Sequence, residues 1–192
     1  MEVLKISPVS GRSEIPVLLN LMNLDGEGVE IGVRDAEYAE IVAGKWGCST
    51  LHLVDPWTEV EDSIDPHAFD LKSEENARNR MAKFGDKIKW HKCLSMEAVA
   101  KFADESLDFV YIDANHSYKY VSEDMDNWWH TIKFGGVLAG HDIYSMFCPQ
   151  VTQAVVEFCQ SKQVVAYIVR GDFDPQGRPM RAPSWYIIKE RK

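Results

Sequence analysis

Val29-Glu-Ile-Gly-Val-Arg-Asp-Ala-Glu-Tyr-Ala-Glu-Ile-Val42 is the stretch that decides the fold class. Its first five residues form a short, mostly β-branched run, which is typical of a buried strand. After Gly32 the apolar residues recur at helical spacing, at positions 36, 38, 39, 41 and 42. The stretch therefore predicts a strand, a glycine turn and a helix.

Outward from this stretch, the same strand-and-helix unit recurs along the chain. The other predicted parallel strands are 51–54, 88–91, 107–112 and 137–139, the last one after a Gly135-Gly136 turn. The helical patterns that follow are 73–84, 95–102, a helix within 118–132, and 151–161. Strands that alternate with helices indicate a parallel sheet covered by helices on both faces.

The two ends of the chain depart from this rhythm. Residues 10–24 have helical spacing and stop at Asp25-Gly26, so residues 1–27 are predicted to hold a leading helix. The apolar runs 164–168 and 185–188 are separated by a Gly/Pro-rich loop, so we expect an antiparallel pair. The predicted fold class is α/β: a Rossmann-like, doubly wound sheet of seven strands, mostly parallel, with an antiparallel C-terminal hairpin.

Length and charge limit the organisation and the partners. With 192 residues the chain fits a single domain, 1–192, in which the polar segment 56–72 is a candidate lid loop. The net charge of −9 disfavours nucleic acid and anionic lipid as partners. No run approaches the ~20 apolar residues of a membrane helix, and the first ten residues lack a signal-peptide pattern. The four cysteines form no Cys-x-x-Cys pair, so we expect a cytoplasmic protein. The missing membrane span and the negative charge predict no membrane partner. Formation of a homo-oligomer stays open.

Chemically active residues stand directly after the predicted strands. In open α/β sheets, ligands bind beyond the carboxyl ends of the strands, where the strand order reverses. The residues at these ends are Glu30 and Gly32, Asp55, Cys93 to Ser95, Asp113, and the pair His141-Asp142. We therefore expect these residues to meet at one edge of the sheet.

The first two strand ends favour a nucleoside cofactor. Asp55 stands 25 residues after Glu30, close to the ~20-residue offset at which an acid accepts hydrogen bonds from a ribose. The alternatives are an ordinary strand-to-helix turn at Gly32 and an Asp55 that caps a helix or is solvated. The turn lacks Gly-x-Gly-x-x-Gly, which disfavours a pyrophosphate. S-adenosylmethionine (SAM) carries a carboxylate and an ammonium instead, and an acid such as Glu30 beside the single glycine Gly32 suits it better.

Further motifs occur in one order around these residues. They are Leu53-Val-Asp-Pro-Trp57, Tyr111-Ile-Asp-Ala-Asn-His-Ser-Tyr118, Asp124 and Gly135-Gly-Val-Leu-Ala-Gly-His-Asp142. Together with Val29-Glu-Ile-Gly-Val33, they resemble the small-molecule branch of the class I SAM-dependent methyltransferases, which includes sugar and macrolide-type O-methyltransferases. The resemblance covers approximately residues 12–144, and the predicted terminal hairpin agrees with it.

The resemblance implies a set of cofactor contacts. They are Glu30 and Gly32 in the first motif, Asp55 at the ribose, and Leu94 and Ser95 at the edge of the adenine pocket. Trp57 follows a strand end and is expected to wall the cofactor or acceptor pocket. Arg34 and Asp35 stand where the wider superfamily usually has another glycine, so we expect the methionine end of the cofactor to be held differently.

Methyl transfer to oxygen requires removal of the acceptor's proton by a base or by a metal that lowers its pKa. The candidate catalytic residues are Asp113, His116, His141 and Asp142, and Asp113 is also a candidate cofactor contact. Asp113 and Asp142 end neighbouring strands, so their carboxylates are expected to meet over the cofactor and to hold Mg²⁺ or another divalent cation. His141 is the best base candidate because histidine titrates near neutral pH, and His116 orients a carboxylate or joins the metal shell. Metal-dependent relatives place two adjacent ligands after the fifth strand, where this chain has His141-Asp142-Ile143.

Other interpretations of the same residues stay open. Asp113-x-x-His116 is also a helix-cap pattern, and Asp124 and Asp126 are either solvated or structural on the following helix. The main hypothesis is a SAM-dependent methyltransferase that acts on a hydroxyl of a small molecule, with sugars among the candidates. The alternatives are a nicotinamide-dependent oxidoreductase and a non-catalytic nucleoside-cofactor-binding protein. The loops 57–71 and 171–183 are expected to select the acceptor.

Overall fold

The computed structural model describes residues 3–58, 71–169, 171 and 182–191. In these residues the strands are β1 (Leu4–Ile6), β2 (Glu27–Ile31), β3 (Thr50–Val54), β4 (Ile88–His91), β5 (Leu107–Ile112), β6 (Ile132–Gly140), β7 (Ala166–Val169) and β8 (Ser184–Ile188). The α-helices are α1 (Ile15–Leu21), α2 (Glu37–Lys45), α3 (Ser73–Met81), α4 (Ser95–Val99), α5 (Tyr118–Thr131) and α6 (Pro149–Lys162). Within this described part, no helix is long and apolar enough to cross a membrane.

The strands form one sheet in the order β1-β7-β8-β6-β5-β2-β3-β4. Neighbours from β6 to β4 are parallel, and β1 is parallel to β7. β8 is antiparallel to both β6 and β7. The strand order reverses between β2 and β5, because β3 and β4 extend the sheet on one side and β6 extends it on the other. This reversal is the point at which open α/β sheets bind their ligands.

The predicted α/β class, the parallel core and the C-terminal hairpin are confirmed, with β1 as an additional strand. β1 was not predicted because it has three residues and pairs with β7 at the edge of the sheet, so it is too short to show an alternation of apolar and polar side chains. The leading helix is shorter than predicted, because a 3-10 helix, Arg12–Glu14, precedes α1. The predicted Gly135-Gly136 turn lies inside β6, where Gly135 has a φ of +86° and the pairing with β5 shifts register.

Two apolar layers enclose the sheet, and β5 contributes to both. Phe109 and Tyr111 pack in the layer that contains α1, α2 and α3. Val110 and Ile112 pack in the layer that contains α4, α5 and α6. This alternation follows from the two-residue period of a strand, and it explains why every residue of β5 is buried. The covered sheet leaves its carboxyl edge as the place for a site.

Both predicted acceptor loops fall largely outside the described residues. Residues 59–70 belong to the candidate lid 56–72, and residues 170 and 172–181 belong to the predicted loop 171–183 or border it. Their roles in selecting the acceptor therefore stay predictions.

Candidate active site

A cavity of about 590 Å³ opens at the carboxyl ends of β2 to β6. This volume falls within the roughly 300–1,000 Å³ that is usual for small-molecule sites. Most of the predicted site residues line it, namely Glu30, Gly32, Asp55, Leu94, Ser95, Asp113, His116, His141 and Asp142. The topology thus brings together residues that are more than a hundred positions apart in the chain.

Gly32 joins the end of β2 to the end of β5. Its φ is +82°, and a Cβ atom there would lie 2.1 Å from the carbonyl oxygen of Asp113. The N–H of Gly32 donates to the carbonyl oxygen of Val54 at 2.9 Å, and the N–H of Asp113 donates to that of Ile31 at 2.8 Å. Both the backbone conformation and the close approach therefore require glycine at this strand end.

Asp55 organises the loop that follows Gly32. Its Oδ2 accepts the backbone N–H groups of Val33 and Arg34 at 2.9 Å each, and its Oδ1 accepts the N–H of Trp57 at 2.7 Å. Burial raises the pKa of Asp55, and these backbone hydrogen bonds oppose that rise. N–H groups of such a turn bind the pyrophosphate in dinucleotide folds, but here a carboxylate of the chain itself uses them. The loop is therefore ill suited to a dinucleotide.

Trp57 does not line the cavity, which corrects the expectation that it forms a wall of the cofactor or acceptor pocket. The residue is 8% exposed, and its ring packs 5.6 Å from that of Trp90. Its Nε1–H donates to the carbonyl oxygen of Arg34 at 3.0 Å. Because Trp57 is bulky and apolar, it fills the core behind the loop and braces it.

Glu30 presents an unsatisfied polar atom at the cavity. The residue is 2% exposed, and the N–H of Ala39 in the first turn of α2 bonds to its carboxylate. Its Oε2 is buried and has no hydrogen-bond partner among the described residues. Burial, followed by the charge of Asp113, raises its pKa well above the usual range. A buried acceptor of this kind needs a donor, and a ligand can supply it.

Arg12 is a cavity residue that the sequence reasoning missed. Its Nη1 lies 3.9 Å from Oδ2 of Asp113, and its guanidinium lies over the ring of Tyr38, 5.1 Å from the centroid. Burial opposes its charge, but Tyr111 and Asp113 outweigh burial and raise its pKa. No motif marks an arginine in the segment before β2, so only the packing of the 3-10 helix reveals its position.

His116 bridges the two predicted catalytic carboxylates. Its Nε2 lies 3.0 Å from Oδ2 of Asp142 and 3.4 Å from Oδ1 of Asp113. Burial opposes its protonation, but hydrogen bonds and charge attraction from both carboxylates outweigh burial and raise its pKa to about 11. The same contacts, with His141, hold the pKa of Asp142 below its usual range against burial. At neutral pH the bridge is therefore an imidazolium between two carboxylates.

His141 also contacts Asp142, through Nδ1 at 3.2 Å from Oδ2. Its Nε2 is buried and has no hydrogen-bond partner among the described residues. If the ring is neutral and donates Nδ1–H to Asp142, its lone pair is on the buried Nε2, which no hydrogen-bond donor among the described residues reaches. Proton uptake by His141 therefore requires a rotation of the ring.

A metal ion fits the same group of residues. Among the described residues, Asp113, His141 and Asp142 have ligand atoms that all lie within 4.8 Å of one another. Two carboxylates and an imidazole suit a divalent cation such as Mg²⁺ or Mn²⁺. The geometry selects His141 as the third ligand and leaves His116 as a hydrogen-bond partner that competes for both carboxylates.

Asp124 is buried at the cavity rather than solvated. It is 4% exposed, accepts a hydrogen bond from the Ser95 hydroxyl and lines the cavity. Ser95 in turn accepts the Nε1–H of Trp128 at 2.9 Å. Burial raises the pKa of Asp124 to about 7. Asp126, two residues later, is instead largely exposed and pairs with Lys162 at 2.9 Å.

Residues 30–143 match the model of a family described as a methyltransferase domain, and they include every described lining residue of the cavity except Arg12. The chain belongs to this methyltransferase family. The predicted family is therefore confirmed. A methyltransferase is favoured over a nicotinamide-dependent oxidoreductase, which agrees with the bonding of the Val33 and Arg34 N–H groups to Asp55 instead of to a pyrophosphate. No curated protein matches the methyltransferase in a sequence search.

Solved structures share the fold of this methyltransferase. An O-methyltransferase from Bacillus cereus in complex with SAH is 13% identical, with a TM-score of 0.63 over 92% of this chain and 80% of that chain. TomG, an O-methyltransferase from Streptomyces achromogenes in complex with SAM, is 15% identical, with a TM-score of 0.63 over 92% of this chain and 78% of that chain. A spermidine synthase from Thermotoga maritima is 14% identical, with a TM-score of 0.62 over 93% and 59%. At these identities the likeness shows the Rossmann-like fold alone.

Proposed function

We propose that the protein is a SAM-dependent O-methyltransferase that methylates a hydroxyl group of a small, uncharged molecule. One observation carries the proposal: a single cavity contains the loop after β2 with its partner Asp55, and also the two aspartates and two histidines at the ends of β5 and β6. Membership of the methyltransferase family supports the reaction class. Two structures of the same fold carry SAH or SAM, which supports the choice of cofactor.

The cofactor side of the cavity lies at the ends of β2, β3 and β4. SAM supplies a methyl group on a positively charged sulfonium when it binds. Glu30 offers a buried acceptor for the cofactor's ammonium, and Asp55 is the candidate contact for the ribose. Leu94 and Ser95 line the end of the cavity at β4, where the adenine is expected.

The acceptor side lies at the ends of β5 and β6. In the reaction, a bond forms between the acceptor oxygen and the methyl carbon while the carbon–sulfur bond breaks and SAH leaves. The acceptor's proton must be removed. His116 is protonated at neutral pH because its pKa is about 11, so it cannot accept that proton and instead positions Asp113 and Asp142.

Two routes remain for the proton. Asp113, Asp142 and His141 would hold a divalent cation, which lowers the pKa of a bound hydroxyl. The alternative is direct proton uptake by His141 after its ring rotates, assisted by Asp142. Both routes need Asp142, because this carboxylate contacts His116 and His141.

The charge of the cavity restricts the acceptor. The described residues that line it include two arginines and eight carboxylates, namely Glu30, Asp35, Glu37, Asp55, Asp113, Glu123, Asp124 and Asp142. Such a surface repels anionic acceptors and favours neutral ones. Sugars and other neutral polyols carry the required hydroxyl without a negative charge, and they agree with the resemblance to sugar O-methyltransferases.

Ligand-induced stabilisation tests the cofactor assignment. A ligand that binds only the folded state raises the melting temperature. SAM and SAH should each raise Tm in a concentration-dependent manner, whereas NAD should leave it unchanged. A rise with NAD and none with SAM or SAH would overturn the proposal.

A further inference from the structure

The loop after β2 has few donors left for a cofactor carboxylate. The N–H groups of Val33 and Arg34 already donate to Asp55. The Arg34 side chain is half-exposed, and its Nε lies 3.5 Å from Oδ2 of Asp35. The α-carboxylate of a methionine moiety would thus enter an acidic cavity in which the N–H groups of Val33 and Arg34 are already bonded. It therefore needs a cation from another part of the cavity lining.

Arg12 is placed to be that cation. Among the described lining residues, Arg12 and Arg34 are the two that carry a permanent positive charge. Of these, Arg12 is the buried one, with a side chain that is 16% exposed. Burial raises the pKa of Glu30, and the charge of Arg12 opposes part of that rise. The arginine offers a cation for an α-carboxylate, and the unsatisfied Oε2 of Glu30 offers a polar partner for an α-ammonium.

Asp113 lies between Arg12 and the acceptor side of the cavity, and each of its two carboxylate oxygens faces a different neighbour. Oδ1 faces His116, whereas Oδ2 faces Arg12. The contact between Arg12 and Asp113, at 3.9 Å, is an ion pair too long for a hydrogen bond. A guanidinium has five N–H donors in a planar fork, so it can bind a carboxylate through two of them while it keeps its contact with Tyr111.

We propose that Arg12 binds the α-carboxylate of the cofactor's methionine moiety and replaces, in this role, the glycine-rich backbone that the loop lacks. The inference rests on the proposed function, since it assumes that SAM and SAH bind in this cavity. It adds a cofactor-binding residue that lies outside residues 30–143, the segment matched by the family model.

The test compares four dissociation constants, those of two ligands for each of two proteins, measured by calorimetry on the full chain. The ligands are SAH and its carboxamide, in which the α-carboxylate is replaced by a neutral amide. The proteins are the wild type and Arg12→Gln, which removes the charge and keeps most of the side-chain length. We expect the wild type to bind SAH at least tenfold more tightly than the carboxamide, and Arg12→Gln to bind the two within about threefold of each other.

Two further arginine variants serve as comparisons. Arg34→Gln removes the rival charge at the cavity, and Arg78→Gln removes a charge that pairs with Glu74 outside it. Both should keep the wild-type preference for SAH. If Arg34→Gln abolishes the preference and Arg12→Gln keeps it, the carboxylate is bound by Arg34 and the inference is wrong.

Other results are equally decisive. Equal weakening of both ligands by Arg12→Gln would show a structural role only and would overturn the inference. If that variant does not fold, Arg12→Lys replaces it, and a reduced but remaining preference for SAH supports the carboxylate contact. A wild type that binds SAH and its carboxamide equally contradicts the inference while the proposed function stands. A wild type that binds neither SAM nor SAH overturns the proposed function itself.

Discussion

Asp55 holds the loop after β2, and under the proposed function the same carboxylate also binds the cofactor. Its two oxygens accept three backbone N–H groups from the segment 33–57. Each carboxylate oxygen can accept two hydrogen bonds, so Oδ1, which takes only the N–H of Trp57 among the described contacts, has capacity for a ribose hydroxyl. We therefore expect the shape of the loop and the affinity for the cofactor to be coupled at this residue.

Asp55→Ala should weaken SAH binding at least tenfold, because the variant loses the ribose contact and releases the loop amides. It should also lower the free energy of unfolding by about 1–3 kcal/mol, since backbone donors lose their acceptor. Calorimetry and chemical denaturation measure the two effects, with the exposed Asp86→Ala as control. Unchanged SAH affinity in a folded variant would remove Asp55 from the site.

Asp124 gives a pH-dependent prediction. An aspartate in an unfolded chain has a pKa of about 3.9, whereas burial raises the pKa of Asp124 to about 7 in the folded state. The folded state therefore binds this proton more tightly than the unfolded state does. As the pH rises from about 4 to about 7, the contribution of Asp124 to the free energy of unfolding falls, and above about pH 7 it no longer changes. Asp124→Asn keeps an acceptor for the Ser95 hydroxyl and removes the ionisation.

The melting temperature of Asp124→Asn relative to the wild type should rise across this pH interval and then level off. Thermal unfolding at a series of pH values measures it. Asp126→Asn, on the exposed side of the same helix, should show no such trend. A difference in Tm for Asp124→Asn that is independent of pH would show that the buried carboxyl does not titrate in this interval.

His116 should compete with a metal ion for Asp113 and Asp142, because its Nε2 contacts both carboxylates. His116→Gln removes the positive charge and leaves two carboxylates that repel each other. We expect the variant to bind Mn²⁺ at least tenfold more tightly than the wild type. The exposed His130→Gln should leave Mn²⁺ affinity unchanged. Equal or weaker binding by His116→Gln would contradict the assignment of these carboxylates as metal ligands.

At the level of elements, the strand ends and the existence of most helices could be predicted, but the packing of helical residues against the site could not. Glu30, Asp55, Asp113 and Asp142 stand at strand ends, and parallel pairing carries all of those ends to one edge whatever the details of the packing. Arg12 reaches the cavity only because its 3-10 helix packs there, which no local pattern encodes. The burial of helical or loop residues is likewise set by neighbours that are remote in the sequence.

The segment that starts after Thr58 should select the acceptor. Pro56 and Thr58 line the cavity, so this loop leaves the sheet at the site. Replacing residues 59–70 with a Gly/Ser linker of equal length should change SAH affinity less than threefold but alter the relative rates with different acceptors. The same replacement of residues 172–181 provides the comparison. Loss of SAH affinity with an unchanged acceptor preference would reverse the assignment.

For the whole molecule, charge and topology act together. The acidic cavity repels anions, but it attracts the sulfonium of SAM and tolerates a neutral acceptor. The imidazolium of His116 and the guanidinium of Arg12 offset the carboxylates locally, one on each side of Asp113. A transferase that brings a cationic methyl donor to a neutral hydroxyl is consistent with this distribution.

Methyl transfer from isotopically labelled SAM to a panel of neutral sugars and polyols tests the central claim most directly. Mass spectrometry detects the labelled product, and the reaction is run with and without a chelator for the wild type, Asp142→Asn and His141→Ala. We predict labelled O-methyl product with the wild type and at least a hundredfold lower rate with Asp142→Asn. Loss of activity in chelator indicates the metal route, whereas activity that survives chelator but collapses in His141→Ala indicates the base route. A rate that is undiminished in Asp142→Asn, or a wild type that binds SAM yet methylates no hydroxyl of the panel, would contradict the account.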